Sequence, residues 1–110
     1  MTLPTEPQIV LVLTTLDADV DASPLARTLV EERLAACVNI LPTMQSIYWW
    51  KGSVESAEER QLVIKTSIER LEALKNRLRE LHPYEVPEVV VIGAAGSASY
   101  EAWLKESTSP

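Results

Sequence analysis

The apolar positions of this chain alternate between strand-like and helix-like patterns. Ile9-Val10-Leu11-Val12-Leu13 is an unbroken aliphatic and β-branched run, which predicts a central strand covered on both faces. Asp17 to Asp21 reads as a polar turn, and Ser23-Pro24 opens a helix with a hydroxyl cap followed by proline at the first helical position. Leu25, Ala26, Leu29, Val30 and Leu34 share one face, so the helix is expected over about 24–35. From Ala36 the pattern turns strand-like: Cys37 to Leu41, an interruption at Pro42, then Met44 to Trp50. Lys51-Gly52 supplies a turn, and the return strand starts near Ser53 or Val54 and ends in Leu62-Val63-Ile64-Lys65-Thr66. With Lys51 and Gly52 as the turn residues, Tyr48 pairs with Glu55 and Ile40 with Val63, and Pro42 is placed to add a bulge that shifts the inner half.

Thr66-Ser67-Ile68-Glu69 matches a capping box, and Ile68, Leu71, Leu74, Leu78 and Leu81 form a single stripe for four turns of helix. Pro83 disfavours helical geometry at His82 and ends that helix. Glu88 to Ile92 predicts another strand of buried type. Gly93-Ala94-Ala95-Gly96 is a turn without the lysine and hydroxyl pattern of a phosphate-binding loop, and a short helix from about Ser97 groups Tyr100, Trp103 and Leu104. Residues 1–7 and 107–110 are expected to fray. The order β-α-β-β-α-β plus a terminal helix predicts one α+β domain over 1–110. It is the ferredoxin-like arrangement, with an antiparallel sheet, both main helices on one face and a long central hairpin.

That hairpin is too long for one subunit. A domain of this length has a radius of gyration near ~13 Å and a diameter of roughly 34 Å, whereas a strand from Cys37 to Trp50 at about 3.3 Å per residue spans roughly 45 Å. The overhanging tip is Ile47-Tyr48-Trp49-Trp50, an aromatic surface and open strand edge that call for cover by another chain. Closed homo-oligomerisation is the simplest expectation, and a hairpin bent back through Pro42 is the alternative.

Composition narrows the partners. The formal charge of −6 repels nucleic acid at long range. No segment has the length of a membrane span, and the lone Cys37 excludes an intrachain disulfide, so the cytoplasm is the expected compartment.

Four segments, Leu34-Ala35-Ala36-Cys37-Val38-Asn39-Ile40, Ser46-Ile47-Tyr48-Trp49-Trp50-Lys51-Gly52, Leu62-Val63-Ile64-Lys65-Thr66 and His82-Pro83-Tyr84-Glu85-Val86-Pro87-Glu88, resemble in order and spacing those of the CutA divalent-cation-tolerance family. The resemblance runs from about Ile9 to Lys105. It implies a ferredoxin-like subunit in a tight homotrimer whose long hairpins embrace neighbouring chains, similar in architecture to the PII signalling proteins. It also implies an association with tolerance of copper and other divalent metals. The copper site attributed to bacterial members uses a cysteine and two consecutive histidines, and the matching positions here are Thr14, Leu81 and His82. Threonine is a poor copper ligand and leucine is none, so that set does not carry over intact.

His82, the single histidine, is the candidate metal residue, joined by carboxylates such as Glu85 and Glu88 or by copies of itself across a trimer. The other reading makes it a helix C-terminal partner of backbone carbonyls. Cys37 sits in an apolar strand and reads as a small buried hydrophobe. Tyr48, Trp50, Glu59, Lys65, Tyr84 and Glu88 lie within or beside the matched segments and are expected to line a cleft or interface between subunits. With no nucleophile and base set at catalytic spacing, a non-enzymatic role is expected. Two functions stand: a homotrimer concerned with copper tolerance, with no required cofactor and weak or indirect binding of Cu(II) or another divalent cation; or a PII-like signalling or scaffold module that binds a small metabolite or a partner protein.

Overall fold

A computed structural model describes residues 6–110 of the chain. The strand β1 (Ile9–Asp17) is central, with α1 (Ser23–Glu31), β2 (Cys37–Trp50), β3 (Ser53–Ser67), α2 (Leu71–Leu81), β4 (Val90–Ala94) and α3 (Ala98–Ser107) following. The sheet order is β2-β3-β1-β4 and every neighbouring pair is antiparallel, which is the ferredoxin-like arrangement read from the sequence. Of the expectations for residues 1–7, those on 1–5 lie outside the described residues. Pro7 packs so close to Gly93 that a Cβ at Gly93 would lie 2.7 Å from its Cγ, which reserves that strand position for glycine.

Strand alternation assigns the two faces of the sheet. Val12 and Leu16 on β1 and Leu62 and Ile64 on β3 join Leu25, Leu29, Leu74 and Leu78 from α1 and α2 in one core cluster. Each fully buried leucine contributes about 2 kcal/mol relative to exposure, and the cluster holds both helices to the same face. Odd-numbered residues of β1 and β3 therefore face away from the helices. On that open face Leu13 is opposite Val63 and Val90, and Leu11 is opposite Lys65 and Ile92.

The helix starts depart from the sequence reading. Ser23 does not cap α1; the Asp21 carboxylate accepts from the Ser23 amide at 3.0 Å instead. α1 ends at Glu31, short of residue 35, because Arg33 takes a left-handed conformation (φ 58) that turns Leu34 and Ala35 into the core. No capping box forms at Thr66-Ser67-Ile68-Glu69. Thr66 Oγ1 donates to Leu34 O at 2.7 Å, Ser67 Oγ accepts from Thr108 Oγ1 at 3.0 Å, and a 3-10 turn over Ile68–Arg70 leads into α2. That turn rotates Ile68 out to solvent, so the buried stripe begins at Leu71.

Two further differences concern the chain ends of the sheet. β4 begins two residues later than expected and, as an edge strand, leaves Val90, Val91 and Ile92 exposed in the single chain, not buried. Fraying from Ser107 is not what the structure shows. Thr108 is buried with its hydroxyl 3.0 Å from both Ser67 Oγ and Leu104 O, and the Arg33 guanidinium donates to Glu106 O and Ser107 O. α3 begins where expected, and Ser97 Oγ caps it by accepting from the Tyr100 amide.

The hairpin turns through Lys51 (φ 47) and Gly52 (φ 85), the paired left-handed geometry of a two-residue turn that matches strand twist. Tyr48 pairs with Glu55 as expected, but Ile40 pairs with Leu62 and not Val63. The shift falls between Ile40 and Thr43, where Pro42 has no amide to give the ladder and one extra residue is absorbed as a bulge. This bulge changes the parity of β2. Cys37 and Asn39 share the open face with Lys65 and Val63, and beyond the bulge the even residues Met44, Ser46, Tyr48 and Trp50 take over that face. The described chain extends 44 Å along its longest axis with a radius of gyration of 14.8 Å, so the hairpin projects past the core.

Candidate functional site

The outer half of the hairpin and the loop between α2 and β4 enclose a cleft of about 680 Å³ on the open face of the sheet. Its walls include Met44, Ser46, Tyr48 and Trp50 from β2, Glu59 and Gln61 from β3, Thr15 and Asp17 from β1, and Tyr84 to Glu88 from the loop. The volume lies within the range of small-molecule sites. Of the six residues expected at a cleft or interface between subunits, Tyr48, Trp50, Glu59, Tyr84 and Glu88 line this cleft within one chain. Lys65 is not among the lining residues; it lies further along β3, opposite Leu11 and Cys37.

The burial of Glu59 is the least expected feature. The residue stands in the polar stretch of β3, yet it is only 8% exposed. Tyr84 Oη donates to its Oε2 at 2.7 Å, the charge-assisted bond that a buried carboxylate needs. Burial, reinforced by that same carboxylate, pushes the Tyr84 phenol well above the ordinary tyrosine range, so it keeps its proton and serves as a donor. Gln61 orients the second carboxylate: its Nε2 lies 2.6 Å from Thr14 O and 2.9 Å from Glu88 Oε2. Gln61 was not singled out in the sequence, although its two-residue spacing from Glu59 on one strand face was a legible sign.

His82 is buried beneath this loop. Its Nε2 lies 2.8 Å from Thr15 O, and its Nδ1 accepts from the Tyr84 amide at 3.1 Å. These partners define a neutral ring with the proton on Nε2 and no nitrogen lone pair left over. Burial lowers its pKa, partly offset by the Thr15 carbonyl and the Glu59 charge. The ring also meets Tyr84 edge-on, centroids 4.8 Å apart. A metal ion at His82 would have to displace the Tyr84 amide or the Thr15 carbonyl. Thr14 is fully buried, its hydroxyl without a partner among the described residues, and Leu81 packs against the core, so neither adds a copper donor. Among the described residues no group of three or more His, Cys, Asp or Glu converges as a metal site. Cys37 is half-buried at the start of β2.

The cleft offers carboxylates, a neutral phenol and aromatic faces, and among the described residues no basic side chain lines it.

Fold and cleft together define a class: α+β subunits with a four-stranded antiparallel sheet, an overlong central hairpin and a pocket on the helix-free face. The CutA1 divalent ion tolerance protein family matches residues 10–107, and this chain belongs to that family. It is 47% identical over 98 residues to a divalent-cation tolerance protein CutA of Thermus thermophilus, covering 88% of this chain and 95% of that one. Among solved structures, CutA from Synechococcus elongatus superposes with a TM-score of 0.88 at 39% identity, covering 98% of this chain and 96% of that one. A CutA from Nostoc described as a PII-like protein, in apo form, superposes with a TM-score of 0.84 at 43% identity, covering 91% and 97%.

Proposed function

We propose that this chain is a non-enzymatic homotrimer of the divalent-cation tolerance family, acting as a PII-like module whose cleft receives a small metabolite or a segment of a partner protein. The observation that carries this reading is the pairing of a preorganised cleft with a saturated His82. Glu59 and Glu88 are held by Tyr84 and Gln61, whereas the ring of His82, the candidate metal residue, spends both nitrogens on backbone. A role in copper tolerance is then indirect, through what the cleft binds, and no cofactor is required. The description of the Nostoc relative as PII-like supports this choice over a metal carrier.

The trimer is supported by what one chain leaves uncovered. Val90, Val91 and Ile92 on the β4 edge and Ile47, Trp49 and Val54 at the hairpin tip are all exposed, apolar side chains on a strand edge and a projecting hairpin that further copies of the chain would cover. The cytoplasm is the proposed compartment, on the free Cys37.

Equilibrium dialysis of Cu(II) and Zn(II) against wild type and His82→Ala tests the metal half of this reading. Equal stoichiometry is expected. Loss of one ion per chain in the variant would reinstate His82 as a ligand. Thermal shift of the sedimented trimer across nucleotides, organic acids, amines and metals tests the other half, and silence throughout would remove the cleft function.

A further inference from the structure

The open face of the sheet carries its charge in two separate halves. Toward the hairpin tip, Asp17, Glu59 and Glu88 line the cleft, and among the described residues no basic side chain stands with them. At the other end Lys65 lies opposite Leu11 and Cys37, with Ile92 on the far side of Leu11. Lys65 is half-buried and makes no ion pair among the described residues. It is also the only basic residue that the four strands place on this face, among the described residues. Arg60, the other one on β3, is even-numbered and faces the helices.

Neither half can satisfy the other within one chain. Lys65 and Glu59 are separated by roughly 20 Å along β3, at about 3.3 Å per residue, farther than a lysine side chain reaches. Yet each needs the opposite charge once this face is covered. A lysine set among Leu11, Cys37 and Ile92 loses its water when another chain packs there, and Glu59 is already buried with a phenol as its partner. Packing like half on like half sets acid against acid and lysine against lysine. Setting unlike halves together pairs both, and that contact repeated head to tail closes into a ring.

We propose that the open face docks a second copy of this chain, whose Lys65 enters the cleft and pairs with Glu59 and Glu88. Leu11 and Ile92 beside that lysine then cover Met44, Val86 and Pro87 in the cleft wall. Tyr84 and Gln61 hold the two carboxylates before the lysine arrives, which lowers the ordering cost of association. This inference rests on the homotrimer reading and names the residue that each copy lends to the next. The cleft is incomplete in one chain, and its cation comes from the neighbour.

Carbodiimide, which joins an ammonium directly to a carboxylate, tests this on oligomers assembled from isotope-labelled and unlabelled chains. A Lys65 peptide linked to a Glu59 or Glu88 peptide of the other isotope is expected. Lys65→Met and Glu59→Gln give a second reading, from subunit exchange in guanidinium chloride. Each should speed exchange roughly tenfold or more, and the double variant should be no faster than the quicker single, the non-additivity of a direct pair. Lys75→Met on α2 should leave exchange unchanged. If Glu59→Gln does not fold, Glu88→Gln takes its place in the cycle. A wild-type chain that sediments with the mass of one subunit overturns the homotrimer and this pairing together. An oligomer in which neither glutamate is linked to Lys65, or in which the two substitutions add, overturns the pairing and leaves the homotrimer standing.

Discussion

Tyr84 holds Glu59 through a 2.7 Å hydrogen bond from its phenol to Oε2, joining the loop after α2 to the middle of β3. The bond makes burial of that carboxylate tolerable, because a charged oxygen out of water needs a donor. Tyr84→Phe is therefore expected to lower unfolding free energy by about 1–3 kcal/mol, read from urea denaturation. If loss of the hydroxyl leaves the urea midpoint where it was, Glu59 is not anchored as described.

Stability should depend on pH through His82. Burial lowers its folded pKa below the ordinary value of 6.5, so the unfolded chain binds the extra proton first as pH falls. Stability is full above about pH 6.5 and declines as pH drops from there toward the folded pKa. Protonation of Nδ1 would also cost the Tyr84 amide its acceptor. Urea midpoints between pH 7.5 and 5 should fall for wild type, and more shallowly for His82→Asn; parallel curves would exclude the histidine as the cause.

Assembly should be sensitive to the open face. Ile92 stands beside Leu11 on that face and is exposed in the single chain. Ile92→Lys places a charge where a neighbouring copy is proposed to pack, and sedimentation velocity should show dissociation toward the mass of one chain. An intact oligomer would locate the subunit contact elsewhere.

At the chain's end, Thr108 is 1% exposed and its hydroxyl is shared between Ser67 Oγ and Leu104 O. Thr108→Val should cost about 1–2 kcal/mol in thermal or urea unfolding, since Ser67 is left without that partner. A neutral outcome would mean that α3 is secured without the Thr108 hydroxyl.

Local rules were enough for much of this molecule. The stripe from Leu71 to Leu81, the stop at His82-Pro83, the Lys51-Gly52 turn and the order of elements all follow from side-chain periodicity and backbone preference within a few residues. The outer hairpin register followed as well, because the turn fixes it. That Tyr48, Trp50, Glu59, Tyr84 and Glu88 share one region of the chain's surface followed from their place within or beside the segments that resemble the family.

Other features were settled only by contacts between distant residues. The Pro42 bulge decides which face Tyr48 and Trp50 present, and its position depends on how β2 pairs with β3 inside the core. Thr66 and Ser67 had two uses for their hydroxyls, and packing against Leu34 and Thr108 took them from the helix cap. His82 was a metal candidate by residue type, yet its ring nitrogens are claimed by Thr15 from the first strand and Tyr84 from the next turn. A sequence specifies which groups a chain carries and the local geometry each favours. Which partner a polar group obtains depends on the competition that folding creates, and it is this competition that buried Glu59 and closed the coordination of His82.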